Sequence, residues 1–562
     1  MLRRLVPLFA AFACAPAAQA GIVAYPSSQT IHPSGSLPAG GTTQVTMNTA
    51  IGETEDAQVV VTGAQWIAAA VDGQTLRPLE VRLFFAHYVS FGGTLVPDAL
   101  LPWKGEARKA EEPNQPLWVQ IGVPQSTPAG TYTAKLVLTV DGHATTVPIT
   151  VRVFPIAIPE FQRLGGNLQA TFHASAQLYV NKAAALYGFT TQDERIGANT
   201  SLYRFLAEHR ISPLSWGFGD PGPKSASGYD RNPKWWLDSA TNMEREQQAA
   251  GGFPAMRIPI SNNRTAANNY IGGQSPFNPE GWCAYLGSVH DFWQSHGWLD
   301  GTMPFLYGLD EPGASGQHLV ARQSAAAHKC FGGSRVLLTG NPTGNNRYLW
   351  DNKKGDDVDV WTVVSQRYYG SWSSHRGPRR EHSKLVWINQ AHARGKTIWS
   401  YHYNGITGTP GFRATEPLSD ARVLILWNAL EHVSGVLYGD GTMSYSSADP
   451  LQTVASNGDF VLIYPGASEP ITSARLEQIR DGIEDWAIYD VVRRRHGLGA
   501  VRAILGGNGL FSASASGVKL GCIQFCDLKS GTKFSWPLWS HDASTPGRIE
   551  SAKLKALQVA SG

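Results

Sequence analysis

Charge is scarce in this 562-residue chain: Asp, Glu, Lys and Arg make up only 16% of it, and the formal net charge is +3. No basic stripe stands out, so nothing points to a nucleic-acid partner. Long apolar runs are missing too. After residue 20 no stretch offers the roughly 18 uninterrupted apolar residues of a membrane helix, which excludes such a helix from the mature chain. Cysteine occurs only five times, and neither an internal repeat nor a low-complexity segment is present.

What is present begins with an export signal. Arg3 and Arg4 precede an apolar run through Leu5, Val6, Leu8 and Phe9, and Ala18-Gln19-Ala20 forms a small-residue cleavage site. The mature chain is expected to begin near Gly21 and to be periplasmic or secreted. A lipoprotein signal built on Cys14 is the lesser alternative, because Ala11 suits it poorly. Four cysteines then remain, Cys283, Cys330, Cys522 and Cys526, an even number that predicts disulfides with three pairings open. A local Cys522–Cys526 staple would leave Cys283 to Cys330. A zinc site is the weaker reading, since no histidine sits at ligand spacing, and neither a metal nor a cofactor is expected.

The chain also carries 18 Trp and 19 Tyr. Most must fill a core, but aromatic faces with few charges also suit stacking on neutral ligands such as sugars.

Residues 21–158 read as a β-sandwich. In "TYTAKLVLTVDGHATTVPITVRVF", Tyr132, Ala134, Leu136, Leu138 and Val140 alternate with mostly polar neighbours, Asp141-Gly142 turns the chain, and Val147, Ile149, Val151 and Val153 resume the alternation. "PIAIPE" then marks a linker, because its prolines cannot sit inside a sheet ladder.

From 159 to 496 the pattern becomes apolar strand-like runs separated by helical stretches. Eight runs, near 166, 211, 254, 303, 335, 358, 396 and 435, predict a (β/α)8 TIM barrel. "DFVLIYPG" reads as one further strand, and "SARLEQIRDGIEDWAIYDVVRRR" as a long helix with Leu476, Ile479, Ile483 and Trp486 on one face. Its alternating charges, from Arg475 to Asp485, are expected to form pairs three or four residues apart on a solvated or barrel-facing surface. Residues 497–562 are a C-terminal extension expected to pack on the barrel. The fold class is therefore multidomain: a β-sandwich, then the barrel, then a helical extension.

Barrel enzymes place their chemistry at the carboxyl ends of the strands. The fourth run ends in "LYGLDEPG", with Tyr307, Asp310 and Glu311. The other ends supply His173, Trp216, Asn341, Tyr368, His402, Tyr403, Tyr438 and Asp440 as candidate substrate-binding residues. Acids, amides and aromatics together fit a sugar site. Two acids adjacent on one strand fit poorly with two-carboxylate glycosidases, whose carboxyl groups flank the scissile bond about 5–9.5 Å apart. They fit substrate-assisted cleavage of a 2-acetamido sugar, in which Glu311 is the general acid and base and Asp310 holds the acetamido N–H. The plainer reading is that one of them caps the next helix. His402 is read evenly as a sugar contact or as a buried histidine satisfied by a neighbour.

Several stretches resemble glycoside hydrolase family 123: "AGTYTAKLVLTV" running through "VPITVRVFPIAIPE", "YGLDEP", and "YPG" at 464–466 followed by "SARLEQIRDGIEDW". The resemblance implies a β-sandwich joined to a (β/α)8 domain and a retaining β-N-acetylgalactosaminidase. Its adjacent Asp–Glu pair matches Asp310 and Glu311, and its partner is a glycan with terminal β-linked GalNAc. The chain departs from the family where a tryptophan is expected after the eighth strand and Gly439-Asp440 stand instead. Two alternatives remain at this stage: a glycosidase with a conventional second carboxylate such as Asp440, and a non-catalytic glycan-binding protein.

Overall fold

The computed structural model describes residues 20–72, 76–163, 168–214, 233–259, 279–351, 358–365, 382–402, 406–407, 410–431, 433–438, 445, 447–507, 509–511, 515–519, 521–522, 533–536 and 544–562. The expected signal up to Gln19 and Cys526 lie outside them.

Two β-sheets make up the N-terminal region. One runs through Gly21–Pro26, Thr54–Thr62, Asn114–Gly122, Glu80–Phe91 and Thr94–Trp103. The other runs through Val45–Ile51, His143–Ala157, Gly130–Val140, Trp66–Asp72 and Arg108–Lys109. The hairpin read from the sequence is present: Val140 pairs with His143, and Asp141 and Gly142 take φ of 47° and 85°. Both positive angles match the twist of a two-residue hairpin turn. Leu136, Leu138, Val147, Ile149 and Val151 meet Val59, Val61, Leu117 and Val119 of the first sheet in an apolar core.

The first sheet is buried on its second face as well, which periodicity did not foretell. Asp56, Gln58 and Gln120 lie at 5% exposure or less. Two short strands from far along the chain, Ile463–Tyr464 and Ile471–Ser473, extend the sheet beyond Thr94–Trp103. The extra strand expected beyond the barrel thus belongs to the sandwich.

Eight parallel strands follow. They are β1 (Gln169–Phe172), β2 (Ile211–Pro213), β3 (Ala255–Arg257), β4 (Met303–Leu306), β5 (Arg335–Thr339), β6 (Val360–Val364), β7 (Thr397–His402) and β8 (Gly435–Tyr438). The ladder runs from β2 through β1, β8, β7, β6, β5 and β4 to β3. This is cyclic chain order, with no ladder between β2 and β3 among the described residues. The result is a nearly closed barrel. Arg257 spans the seam: its Nη1 donates to the Leu214 carbonyl at 2.9 Å and its Nη2 to the Tyr307 carbonyl at 3.3 Å.

Around it lie α1 (Ala176–Tyr187), α2 (Gln192–Glu208), α3 (Pro233–Ala250), α4 (Pro279–Ser295), α5 (Ala314–Cys330), α6 (His382–Ala393), α7 (Ser419–Glu431) and α8 (Ala474–His496). Two helices follow β1, whereas between β5 and β6 the described residues hold only the 3-10 turn Arg347–Leu349. The helical ring therefore departs from eight regular repeats. Cys283 of α4 is bonded to Cys330 of α5, on either side of β4.

Strand alternation sorts the barrel residues. Ala255, Phe305, Tyr307, Leu337, Val360, Trp399, Tyr401 and Leu437 share an interior cluster, while Met256, Leu338, Trp361, Ile398 and Val436 face the helices. Gly435 has no side chain because a Cβ there would lie 2.3 Å from the Trp399 ring.

Helix α8 is buried from Ala474 to Val492. The expected pairs three and four residues apart do form, from Arg480 to Glu477 and Glu484, but the helix is not solvated and its charges also reach the sandwich, so that they join the two domains. Arg475 forks onto Asp98 with contacts of 2.9 and 2.7 Å, and Arg480 reaches Asp56 at 2.7 Å. Glu484 accepts from Arg210 at 2.8 Å, Glu477 meets His209 at 3.0 Å and Gln120 at 3.2 Å, and Asp485 pairs with Arg422 of α7 at 2.7 Å. Burial pushes the Glu477 carboxyl up, but Arg480 and His209 outweigh it and hold it at about 2. Helix α8 packs against the first sheet at Thr54–Thr62 and Thr94–Trp103 and covers that second face.

The chain continues into α9 (Leu498–Gly507) and closes with α10 (Thr545–Ser561), which contacts α7, α8 and α9 and also the sandwich strands Gly21–Pro26, Val45–Ile51 and His143–Ala157. Its Lys553 lies 2.5 Å from Glu53 and also bonds Glu55. The extension therefore clamps both domains.

Removing one member of a buried ion pair leaves its partner uncompensated, at a cost of about 3–5 kcal/mol. Arg480→Met should accordingly lower the urea midpoint strongly, while Arg82→Met, in an exposed 4.0 Å pair with Glu208, should leave it near wild type. Equal midpoints for the two variants would contradict the interface role.

Candidate active site

The acid pair stands just past β4, over the carboxyl end of the barrel. Helix α5 begins at Ala314, and its N-cap is Gly313 with no side-chain capping bond, so neither Asp310 nor Glu311 serves as the cap. Asp310 is half-buried and Glu311 exposed.

The backbone solves the adjacency problem. In an extended strand, neighbouring side chains point to opposite faces. Glu311 instead adopts φ of 41°, the left-handed region, which costs a non-glycine residue roughly 1–3 kcal/mol and clusters at functional positions. The turn lets both carboxylates engage the barrel interior. Asp310 Oδ1 accepts from the Tyr307 hydroxyl at 2.7 Å and from the Thr339 hydroxyl at 3.0 Å. Glu311 Oε1 accepts from the Tyr401 hydroxyl, and the Glu311 N–H donates to Thr339 Oγ1 at 2.7 Å. Burial, then the neighbouring Asp310 charge, pushes the Tyr307 phenol well above its ordinary range, which keeps it a donor. Arg257 lies beneath, with its guanidinium 5.8 Å from the Tyr307 ring centre.

Of the residues expected from the sequence, Asp310, Glu311 and Tyr307 are thus brought together. His173 and Asn341 lie half-buried just beyond β1 and β5. The His173 N–H approaches the Tyr438 carbonyl at 3.4 Å, and the Asn341 carbonyl accepts from Asn346 at 3.0 Å. Trp216, Tyr368, Tyr403 and Asp440 lie outside the described residues.

His402 and Tyr438 are corrections to the expected sugar contacts. Both end their strands on the parity that faces the helical layer. His402 is 1% exposed, meets Ser365 Oγ at 3.2 Å and packs against Phe412 with ring centres 5.4 Å apart. Burial, reinforced by the Arg413 charge, pushes its imidazole down to about 3. It is the buried-histidine alternative, not a sugar ligand. Tyr438 is fully buried among Phe172, Phe412 and Phe460, bonds Asp459 and accepts from the Phe460 N–H at 2.8 Å.

Thr339, Tyr401 and Arg257 were missed. Tyr401 immediately precedes His402 and shares the parity of Trp399, which in the structure is the interior one. Parallel strands are apolar on both faces, so parity alone does not say which face is the interior.

A cleft of about 1010 Å³ lies elsewhere, between the sandwich and α2, lined by Arg82, Trp103, Lys104, Arg204 and Glu208 among others. It contains none of the acid-pair residues and is a gap between domains. Residues 215–232, 260–278, 366–381, 403–405 and 439–444, which follow β2, β3, β6, β7 and β8, fall outside the described residues.

The chemistry of a carboxylate pair over a barrel mouth agrees with the comparisons. The model of the glycoside hydrolase 123 catalytic domain matches residues 250–492, a span that includes Asp310, Glu311, Thr339, Tyr401 and α8 as far as Val492. The chain is therefore of the glycosidase class. More narrowly, residues 250–492 are similar to the catalytic domain of glycoside hydrolase family 123. A solved family 123 glycoside hydrolase from Clostridium perfringens, described for glycolipid glycan hydrolysis, has a similar fold. It aligns over 96% of this chain and 98% of its own, with a TM-score of 0.63 and 11% identity. A putative α-galactosidase from Bacteroides fragilis aligns over 79% of this chain and 77% of its own with a TM-score of 0.29 and 9% identity, and carries no argument. Among curated proteins no sequence matches.

A buried imidazole pushed down to about 3 should stay neutral at every pH where the protein is folded and active. Nitrogen-15 NMR of His402, assigned through His402→Gln, should show a neutral ring from pH 5 to pH 8. Protonation near the ordinary histidine value of about 6.5 would overturn the assignment to the core.

Proposed function

We propose that the protein is an exported, retaining exo-β-N-acetylgalactosaminidase that removes terminal β-linked GalNAc from glycans by substrate-assisted catalysis. The observation that carries this reading is the pairing of two adjacent carboxylates with different partners: Asp310 accepts from Tyr307 and Thr339, and Glu311 from Tyr401.

In this mechanism Glu311 delivers a proton to the leaving glycosidic oxygen while the substrate's acetamido oxygen attacks the anomeric carbon. The bond to the leaving group breaks as the oxazoline ring closes, and Asp310 accepts a hydrogen bond from the acetamido N–H, which acquires positive charge. Water then opens the ring, with Glu311 taking its proton. Two inversions give net retention. Hydroxyl donors on one oxygen of Asp310 favour its role as a fixed acceptor. Glu311, exposed beside it, has the access to solvent that proton exchange needs.

Support for GalNAc comes from the resemblance noted in the sequence, and support for a glycan end from the family model and from the glycolipid context of the Clostridium perfringens relative. Export is supported by the Met1–Ala20 signal and by a disulfide between Cys283 and Cys330, which suits an oxidising compartment.

Hydrolysis of 4-nitrophenyl N-acetyl-β-D-galactosaminide tests the reading. Glu311→Gln should lose about 10²–10⁴-fold in kcat, the usual contribution of general acid–base catalysis. Asp310→Asn should lose a comparable factor, and GalNAc-thiazoline should inhibit the wild type. Full activity in either variant, or indifference to the thiazoline, would sink the mechanism.

A further inference from the structure

Thr339, the last residue of β5, sits between the two acids and bonds to both. A hydroxyl has one hydrogen to donate and two lone pairs to accept with. The Thr339 hydrogen goes to Asp310 Oδ1 at 3.0 Å, and the oxygen receives the Glu311 N–H at 2.7 Å. The Tyr307 hydroxyl also lies 3.4 Å from this oxygen, though its shorter approach, 2.7 Å, is to Asp310. Thr339 is 2% exposed and anchored in the ladder, paired with Thr362 of β6. It is a rigid, buried point on a different strand from the acids it touches.

We infer that Thr339 is a positioning residue of the active site: its hydroxyl locks the Asp310–Glu311 pair into the one backbone turn that aims both carboxylates at the same substrate. The catalytic side of this inference rests on the function proposed above; the geometric side does not. Glu311 at φ of 41° has no glycine to make that conformation easy, so something outside the turn must hold it. The N–H of Glu311 held by Thr339 fixes the peptide plane between the acids, and the second bond fixes the Asp310 carboxylate against the same atom. The two acids therefore keep a constant separation and angle while Glu311 exchanges protons. Thr339 touches no reacting atom in this scheme. Its loss changes where the acids stand, not which acids are present.

A purely packing role and a positioning role predict opposite orders of substitution. Valine keeps the shape of threonine and loses both hydrogen bonds; serine keeps both bonds and loses a methyl group. For hydrolysis of 4-nitrophenyl N-acetyl-β-D-galactosaminide, Thr339→Val should lower kcat about 100-fold, the scale of a small misplacement of catalytic groups, with KM within about threefold of wild type. Thr339→Ser should restore kcat to within about threefold. Wild-type kcat in Thr339→Val, or a serine variant worse than the valine, would overturn the inference. Thr339→Ala, which removes the hydroxyl without adding a branched side chain, gives the same reading if the valine variant misfolds.

Crystal structures separate this inference from the function on which it partly rests. If the wild type cleaves no β-GalNAc substrate, the function fails, and the geometry still decides about Thr339. Glu311 should leave the positive-φ region in Thr339→Val or Thr339→Ala and keep it in Thr339→Ser. An acid pair unmoved in the valine and alanine variants would refute the positioning role whatever the substrate.

Discussion

The fold depends on one buried helix whose charges have nowhere to go but into its neighbours. Ion pairs taken out of water gain little net stability over apolar packing, but a missing or misplaced partner is expensive. Helix α8 therefore acts less as an adhesive than as a key. Arg475, Glu477, Arg480, Glu484 and Asp485 find Asp98, His209, Asp56, Arg210 and Arg422 in one mutual arrangement of sandwich and barrel. Arg475 goes further: its Nη1 also donates to the carbonyls of Phe412 and Gly458, both at 2.6 Å, which ties the segment after β7 and the segment after β8 to the sandwich. The frame that presents the strand ends is set by these contacts.

On that frame the active site is a small departure from regularity. Strand β4 stops at Leu306, five residues later the chain turns into the left-handed region at Glu311, and hydroxyls from Tyr307 just past β4, Thr339 of β5 and Tyr401 of β7 receive the two acids. Regular alternation would have put one acid in the core and the other at the mouth. The backbone strain at Glu311 is the physical expression of needing both in one place.

Much of this was legible from residues alone. Period-two alternation with Asp-Gly between its halves located the hairpin, and runs of apolar residues located all eight parallel strands, because both features are local. Asp310 and Glu311 stood out since acids that end such a run have few structural reasons to be there. What periodicity could not say was which polar surfaces meet. Charges spaced three and four apart on α8 look the same whether water or another domain covers them, and the even-numbered face of Thr54–Thr62, with Asp56 and Gln58, looks like any solvated sheet face. His402 and Tyr438 were chosen over Tyr401 because a parallel strand gives no local sign of its inner side. Thr339 and Arg257 become meaningful only once β5 and β3 stand beside β4.

The sheet that admits strands from residues 463–473 has a consequence for evolution. The polypeptide leaves the sandwich, builds the barrel, returns to add three short strands to the first sheet, Thr453–Val454, Ile463–Tyr464 and Ile471–Ser473, and then lays α8 and α10 across both. Residues 250–492, the span matched by the family model, hold the acids but not the partners of α8 at Asp56, Asp98 and Arg210. Such a catalytic domain is not a portable cassette. Cut out at its ends and joined to an unrelated module, it would carry Arg475, Arg480 and Glu484 without their buried partners, at the cost of uncompensated charge.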